Sequence, residues 1–483
     1  MADLKSLAKD TAIYGLSSII GRFLNYLLVP IYTAKLAAAS GGYGVITEVY
    51  SYTALLLVLL TFGMETTFFR FINKENEDPL RVYATTLVAV GGVGLCFLAL
   101  VFGFLPQVAS FLDYADHPEY IGMMATCVAI DAFQCIPFAY LRYRRRPIKF
   151  AALKLLFIFA NIVLNIVFFV VLNYNDVFYA FAINLVCTAG ITFFFIPELT
   201  GFSWKPDMAL LRKMLRYSWP ILVLGIAGIL NQTADKIIFP HVMKGTAGKV
   251  ELGIYGASVK IAMIMAMITQ AFRYAYEPFV FAGQRDKNNK QTYARAMKFF
   301  IIFTLLAFLV VMGYIDVLKH IIAPDYWPGL KVVPIVMAAE IMMGVYFNLS
   351  FWYKLTDRTI WGAVFSGAGC IVLIAVNIIF IPQYSYMACA WAGVAGYGTA
   401  MLLSYFVGQK YYPIAYPLKS IAVYVLIAAL FFLIMKYTPQ GWPMWMRLGI
   451  NTGCIVLFIG HILYHDLPLS GLPVVGKYFR KNK

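Results

Sequence analysis

The sequence predicts an all-α protein that crosses a membrane about fourteen times. Three observations carry that reading. Hydrophobic residues make up 61% of the 483 and charged residues 13%, against roughly 45–50% and about 25% in soluble domains. The apolar residues fall in runs of roughly twenty, enough for a helix to cross about 30 Å of hydrocarbon, and too long for barrel strands. Lysine and arginine collect in alternate connections between the runs, as the cytoplasmic loops of membrane proteins do.

The first six spans lie near Thr11–Leu36, Tyr43–Phe69, Val82–Leu105, Tyr120–Leu141, Phe150–Leu172 and Val177–Pro197. Six more follow near Leu215–His241, Leu252–Phe281, Met297–Val317, Leu330–Tyr353, Ile360–Ile381 and Tyr386–Val407. Two close the chain near Ile421–Met435 and Met444–Tyr464. This gives a six-helix half over 1–200, a second over 201–412, and two further helices with a basic tail over 413–483. No soluble domain is left over.

Basic residues mark every second connection: Lys5 and Lys9, then Arg70, Lys74 and Arg81, then "RYRRRP" with Lys149, and Lys205 to Arg216. They recur at Arg285 to Lys298, Lys354 and Arg358, Lys410 and Lys419, and the tail from Lys477. "PQVASFLDYADHPEY" and "NYND" between them have none. An even number of spans then leaves both termini in the cytoplasm. The formal charge of +16 is this bias facing anionic lipid, so no nucleic-acid partner is called for. "RYRRRP" reads as an interfacial anchor. The first span carries Arg22 and Asn25 and exceeds the 7–15 apolar residues of a signal peptide, so it reads as an uncleaved helix.

The seven cysteines lie in or beside apolar runs without a CxxC, which points to neither disulfides nor zinc. His461 and His465 lack a third ligand. No P-loop is present, and "GGVGLC" from Gly91 lies inside a span, where it reads as a close helix contact. No cofactor is implied.

Several spans carry a polar face. At 100° per residue Thr11, Gly15, Ser18, Arg22, Asn25 and Val29 fall within about 80° of one another. Lys154, Asn161 and Asn165 share a face, as do Gly228, Asn231 and Asp235, while Gln270, Arg273, Tyr274 and Glu277 cluster at helical spacing, which would pair Arg273 with Glu277. Glu48, Glu65, Asp131, Lys236, Lys260 and Glu340 are further charges inside spans. Each alone is as well explained by a strut between helices, but inward polar groups on several helices together point to a hydrated central cavity.

The two halves resemble each other weakly. "YGVITEVYSYTALLLVLLTFGMETTFFRF" from Tyr43 aligns with "LGIYGASVKIAMIMAMITQAFRYAYEPF" from Leu252, with Gly44 matching Gly253. Those segments, with Tyr43-Gly44, Gly63 and Arg70 in the first, and "NQTADKIIFPHVMKGTAGKVELGIYGASVKIAMI" with Asp235-Lys236, Gly253-Ile254-Tyr255 and Lys260, closed by Pro278, resemble the polysaccharide, O-antigen and capsule repeat-unit flippases of the multidrug/oligosaccharidyl-lipid/polysaccharide exporter superfamily.

That resemblance implies two six-helix lobes in a V with two extra helices, in a bacterial inner membrane. It implies a transporter, not an enzyme, that carries an undecaprenyl-diphosphate-linked oligosaccharide from the cytoplasmic to the periplasmic leaflet, alongside other polysaccharide-assembly proteins. A diphosphate cannot cross hydrocarbon unescorted, and arginine offers it bidentate donors. Arg22, Lys154, Lys236, Lys260 and Arg273 are therefore expected to line a cationic cavity. Asn25, Asn161, Asn165, Asn231 and Gln270 are expected to meet sugar hydroxyls, and Asp131, Asp235, Glu277 and Glu340 are candidates for coupling to H+ or Na+. A lipid II flippase and a cation-coupled multidrug antiporter of the same superfamily are the alternatives. A membrane glycosyltransferase or polymerase is more remote, since its catalytic groups usually sit in a sizeable extramembrane loop.

Overall fold

The computed structural model describes residues 26–73, 77–282, 289–356, 358–439 and 441–466. The chain divides into two compact units: residues 1–260, 322–329 and 366–396, and residues 261–321, 330–365 and 397–483.

In the first unit α1 (Leu28–Lys35) leads through a turn at Ala38–Ser40 into α2 (Gly42–Thr61) and α3 (Met64–Ile72). Phe62 and Gly63 separate α2 from α3, both in the left-handed region with φ 51° and 67°. The break lies inside one membrane-length segment, Gly42–Ile72.

Aspartates just before helices then set several starts, as short side chains that accept orphan N–H groups. Asp78 takes the N–H of Leu80 ahead of α4 (Pro79–Gly103), which runs into the short α5 (Leu105–Phe111). Prolines at the first position, where no N–H is missed, open α6 (Pro118–Tyr143) and α7 (Pro147–Asn165). A wider turn over Ile166–Val171 extends α7. Asp176 caps α8 (Val177–Phe193), α9 (Ile196–Leu199) follows, and Asp207 caps α10 (Met208–Val242) with bonds of 2.9 and 3.0 Å from Ala209 and Leu210. α11 (Gly245–Ala282) begins in this unit.

α2 packs on α6 and α10, and α6 on α4 and α8. Gly91 and Gly94 of "GGVGLC" face Phe133 and Ala129 of α6, a close helix contact. Phe68, Tyr83, Leu87, Ile136 and Met214 form the core between α3, α4, α6 and α10.

The second unit is built on α12 (Asn289–Gly313). After the short α13 (Ile315–Leu318) come α14 (Val333–Leu349) and α15 (Phe351–Leu355), and α16 (Ile360–Tyr384) and α17 (Tyr386–Tyr411) divide between the units. The last two helices, α18 (Leu418–Tyr437) and α19 (Met444–His465), pack on α12 through Phe300, Leu309, Tyr424 and Phe458. Asp466, just past α19, meets Lys298 and accepts from Tyr424 at 2.5 Å.

Among the described residues twelve helical segments are long and apolar enough to cross a membrane, and Val177–Phe193 is a shorter apolar helix. These thirteen correspond to the second to fourteenth spans expected from the sequence, and the first lies mostly outside the described residues. The protein is an all-α, multi-pass membrane protein.

Candidate functional site

Polar residues of α6, α7 and α8 converge between those helices. On α7, Asn165 donates to the Asn161 carbonyl at 2.8 Å and to its Oδ1 at 3.0 Å, and both side chains are buried. Asn184 of α8 accepts from Asn161 at 3.5 Å and reaches Cys127 Sγ of α6 at 3.3 Å. Cys127 lies 3.4 Å from Thr188, and Gln134 bonds the Thr188 carbonyl at 2.7 Å and Thr192 at 2.8 Å. Asp131 stands one turn from Cys127 on the same helix. Lys154 places its ammonium 4.0 Å over the Phe138 ring and acts electrostatically on Asp131. Asn161, Asn165 and Asp131 are thus gathered between these helices, where the asparagines meet other side chains, while Lys154 stands exposed beside them.

A second group joins α10 and α11. Lys236 Nζ holds Asp235 Oδ1 and Oδ2 at 3.0 and 3.1 Å, and Tyr255 donates to Oδ2 at 2.6 Å. Asn231, one turn earlier, donates to the carbonyl and hydroxyl of Ser366 at 3.1 Å each. Lys260 lies on α11 within the field of Lys236. Lys236 is therefore half of an ion pair as well as a candidate cation, and Asp235 is held by both Lys236 and Tyr255.

Closer still, Gly44 and Gly253 bring α2 and α11 into backbone contact. Beside them Glu48, fully buried, accepts from Tyr114 at 2.6 Å. Lys249 covers the Tyr114 ring at 4.2 Å and bonds the Asp113 carbonyl at 2.8 Å. Burial and the neighbouring Glu48 hold the Tyr114 phenol well above its ordinary pKa, so it stays a donor.

In the second unit Arg273 stacks 4.7 Å over Phe347. It lines a narrow cleft with Thr269, Asn348, Phe351 and Lys354. Gln270 of α11 and Glu340 of α14 are half-buried in the same unit. Arg22, Asn25 and the Glu277 side chain lie outside the described residues, and with them the expected Arg273–Glu277 pair.

"RYRRRP" is more than an anchor. Arg142 pairs with Glu65, while Arg146 (3.7 Å) and Lys149 (2.6 Å) converge on the buried Glu198. Nothing in the sequence signals that Lys354, Thr269 and Asn348 belong to a cleft. Lys354 reads as one more loop charge, and only the four-residue step from Thr269 to Arg273 hints at a shared face.

The helices form a fold shared with solved structures of transporters from the multidrug/oligosaccharidyl-lipid/polysaccharide exporter superfamily. The structure superimposes on "Lipid II flippase MurJ, inward closed conformation" with a TM-score of 0.75 and 14% identity, covering 94% of this chain and 99% of that one. An inward-facing multidrug resistance MATE family transporter of that superfamily gives 0.63 and 15%, covering 80% and 93%. In sequence, an Lsg locus protein of Haemophilus influenzae is 19% identical over 422 residues, 83% of this chain and 98% of the relative. Residues 40–328 match the family described as "Polysaccharide biosynthesis protein", and the chain belongs to that family.

Proposed function

We propose that this protein is a flippase that carries an undecaprenyl-diphosphate-linked oligosaccharide from the cytoplasmic to the periplasmic leaflet of a bacterial inner membrane by alternating access, for surface polysaccharide assembly. The observation that carries the reading is the family match over residues 40–328 in a chain whose fold is shared with transporters. A membrane protein of polysaccharide biosynthesis with a transporter's fold has a natural cargo in a lipid-linked glycan.

The charges supply the means. Lys154, Lys236, Lys260, Arg273 and Arg22 neutralise the diphosphate in transit, with Arg22 its foremost ligand. Asn25, Asn161, Asn165, Asn231 and Gln270 offer amides to sugar hydroxyls. Asp131, Asp235, Glu277 or Glu340 couples the cycle to H+ or Na+. Both termini face the cytoplasm, where other polysaccharide-assembly proteins deliver the cargo.

A lipid II flippase is the second reading, favoured by the likeness to that protein over 94% of this chain. The lipid-linked pool, with its leaflet distribution, in cells lacking the protein and in cells restored with the parent or Arg22→Glu separates the two. Cytoplasmic build-up of a diphosphate-linked glycan, relieved by the parent and not by the variant, supports the proposal. Build-up of lipid II alone favours the second reading, and an unchanged pool with altered drug sensitivity sinks both.

A further inference from the structure

The segment Ile322–Gly329 packs apart from its neighbours in the chain. Residues 261–321 before it and 330–365 after it group with the second compact unit, while Ile322–Gly329 groups with the first. Pro324, Pro328 and Gly329 keep it from continuing as an ordinary helix, and a narrow 3₁₀ helix runs over Pro324–Val332. Its polar groups turn to the end of α1. The Tyr326 phenol donates to the Leu36 carbonyl at 2.6 Å, and the Ala323 N–H donates to Thr33 Oγ1 at 3.2 Å. Leu36 closes α1, where carbonyls have no partner within the helix. Tyr326 and Thr33 are each 1% exposed, so both bonds are made away from water.

The same segment lies on the close contact of α2 with α11. Tyr43, next to Gly44, meets the Tyr326 ring edge-on with centroids 5.9 Å apart. Ile254, next to Gly253, meets Gly329, where a Cβ would stand 2.6 Å from the Ile254 carbonyl oxygen. One short segment thus fastens α1 and α2 to α11 across the two glycines. It lies between the basic groups Arg285 to Lys298 and Lys354 with Arg358, which puts it at the periplasmic end in the proposed orientation. The sequence assigns α1 and α2 to one six-span half and α11 to the other. For a cargo to leave by alternating access, these helices have to part at that end. The two bonds to α1 can break without unwinding any helix, because they meet the last turn and its closing residue.

We propose that Ile322–Gly329 is a strap that holds the periplasmic end closed, and that Tyr326 leaves Leu36 and Ala323 leaves Thr33 each time the protein opens outward. The proposal rests on the flippase reading and gives it a release step.

The test uses the full chain in cells with a permeabilised outer membrane. Ser258→Cys reports opening, because Ser258 is fully buried against Gly329. A membrane-impermeant thiol reagent is added from the periplasmic side and its uptake is read at that position by mass spectrometry, apart from the native cysteines. Tyr326→Phe keeps the ring and removes the hydroxyl, and should raise labelling roughly threefold to tenfold, the worth of one hydrogen bond in an opening equilibrium. A bond that only stabilises the fold would lower Tm and leave labelling unchanged, which would overturn the proposal. Separately, Thr33→Cys with Ala323→Cys puts two thiols where the strap meets α1. Oxidation should join them and stop transport, and reduction should restore it. A complete bridge with undiminished transport would also overturn the strap. If the reduced pair does not accumulate in the membrane, the labelling decides alone.

The lipid-linked pool decides the broader reading separately. A pool that builds up in cells lacking the protein, with labelling indifferent to Tyr326→Phe, removes only the strap. Labelling raised by Tyr326→Phe, with a normal pool in cells lacking the protein, removes the flippase and leaves the strap standing.

Discussion

Gly44 and Gly253 meet backbone to backbone: a Cβ on Gly44 would stand 3.1 Å from the Gly253 nitrogen and 1.8 Å from the Lys249 carbonyl oxygen, and one on Gly253 would stand 2.9 Å from the Gly44 nitrogen. The residues that match in the weak internal repeat are thus partners in space. Because the obstructing atoms are backbone, no rotamer change relieves the clash. Gly44→Ala should destabilise the fold by about 1–3 kcal/mol, the usual cost of overpacking. Gly92→Ala, where a Cβ meets nothing within 4 Å, should stay within about 1 kcal/mol of the parent. Thermal unfolding in detergent of the two variants checks this, and equal Tm values would refute the close contact.

The Asp235–Lys236–Tyr255 group should behave as a unit. Both charged side chains are mostly buried, 12% and 17% exposed, so removing one leaves the other charge uncompensated. Lys236→Met is expected to cost about 3–5 kcal/mol, and Lys236→Met with Asp235→Asn markedly less. A double-mutant cycle on unfolding free energy reads the coupling. Additive losses would show that the pair does not hold α10 in place.

Tyr114 is the hydroxyl that meets Glu48, whose other carboxylate oxygen, Oε1, has no hydrogen-bond partner in the structure. Tyr114→Phe therefore removes a buried donor from a fully buried carboxyl group and should cost roughly 1–3 kcal/mol. Adding Glu48→Leu should recover much of the loss. A Tyr114→Phe protein as stable as the parent would show that Glu48 draws its stabilisation elsewhere.

Asp207 gives a pH signature at the start of α10. The Leu210 and Ala209 amides, with Arg81 at 3.5 Å, hold its carboxyl below the ordinary value against the opposing effect of burial. A lowered carboxylate pKa stabilises the fold above the unfolded value, about 3.9, and that contribution fades as pH falls through the folded value. Hydrogen exchange at Ala209 and Leu210 should accelerate relative to neighbouring amides below about pH 4. In Asp207→Asn, which still caps but does not titrate, that relative acceleration should disappear.

The spans are legible in the sequence because twenty-residue apolar runs and charged loops are one-dimensional signals. The expected span Tyr43–Phe69 sits inside the observed Gly42–Ile72, and Asp78, Asp176 and Asp207 mark helix starts by residue type alone. The break at Phe62–Gly63 is not legible: Phe62 adopts its left-handed conformation with no proline nearby, because of what surrounds it in the fold. Of the site, helical periodicity correctly places Asn161 with Asn165 and Asn231 one turn from Asp235, since such neighbours are fixed by the helix itself. It cannot place Tyr255 on Asp235 or Lys354 beside Thr269, because those meetings depend on which helices pack together. Glu198 shows the same limit: read alone it is a loop carboxylate, yet it is buried beneath Arg146 and Lys149.

Those last pairs give the basic loop two duties separated in time. On the proposed cytoplasmic placement of this loop, Arg142, Arg146 and Lys149 serve during insertion as the orienting charges, a decision in which acidic residues weigh little. Once the helices have assembled, the same cations are occupied by Glu65 and Glu198. Mutating the arginines therefore mixes an error of orientation with an error of assembly. Mutating Glu65 or Glu198 to glutamine leaves the orienting signal whole and isolates the second event, so biogenesis and folded-state cohesion of this loop can be studied apart.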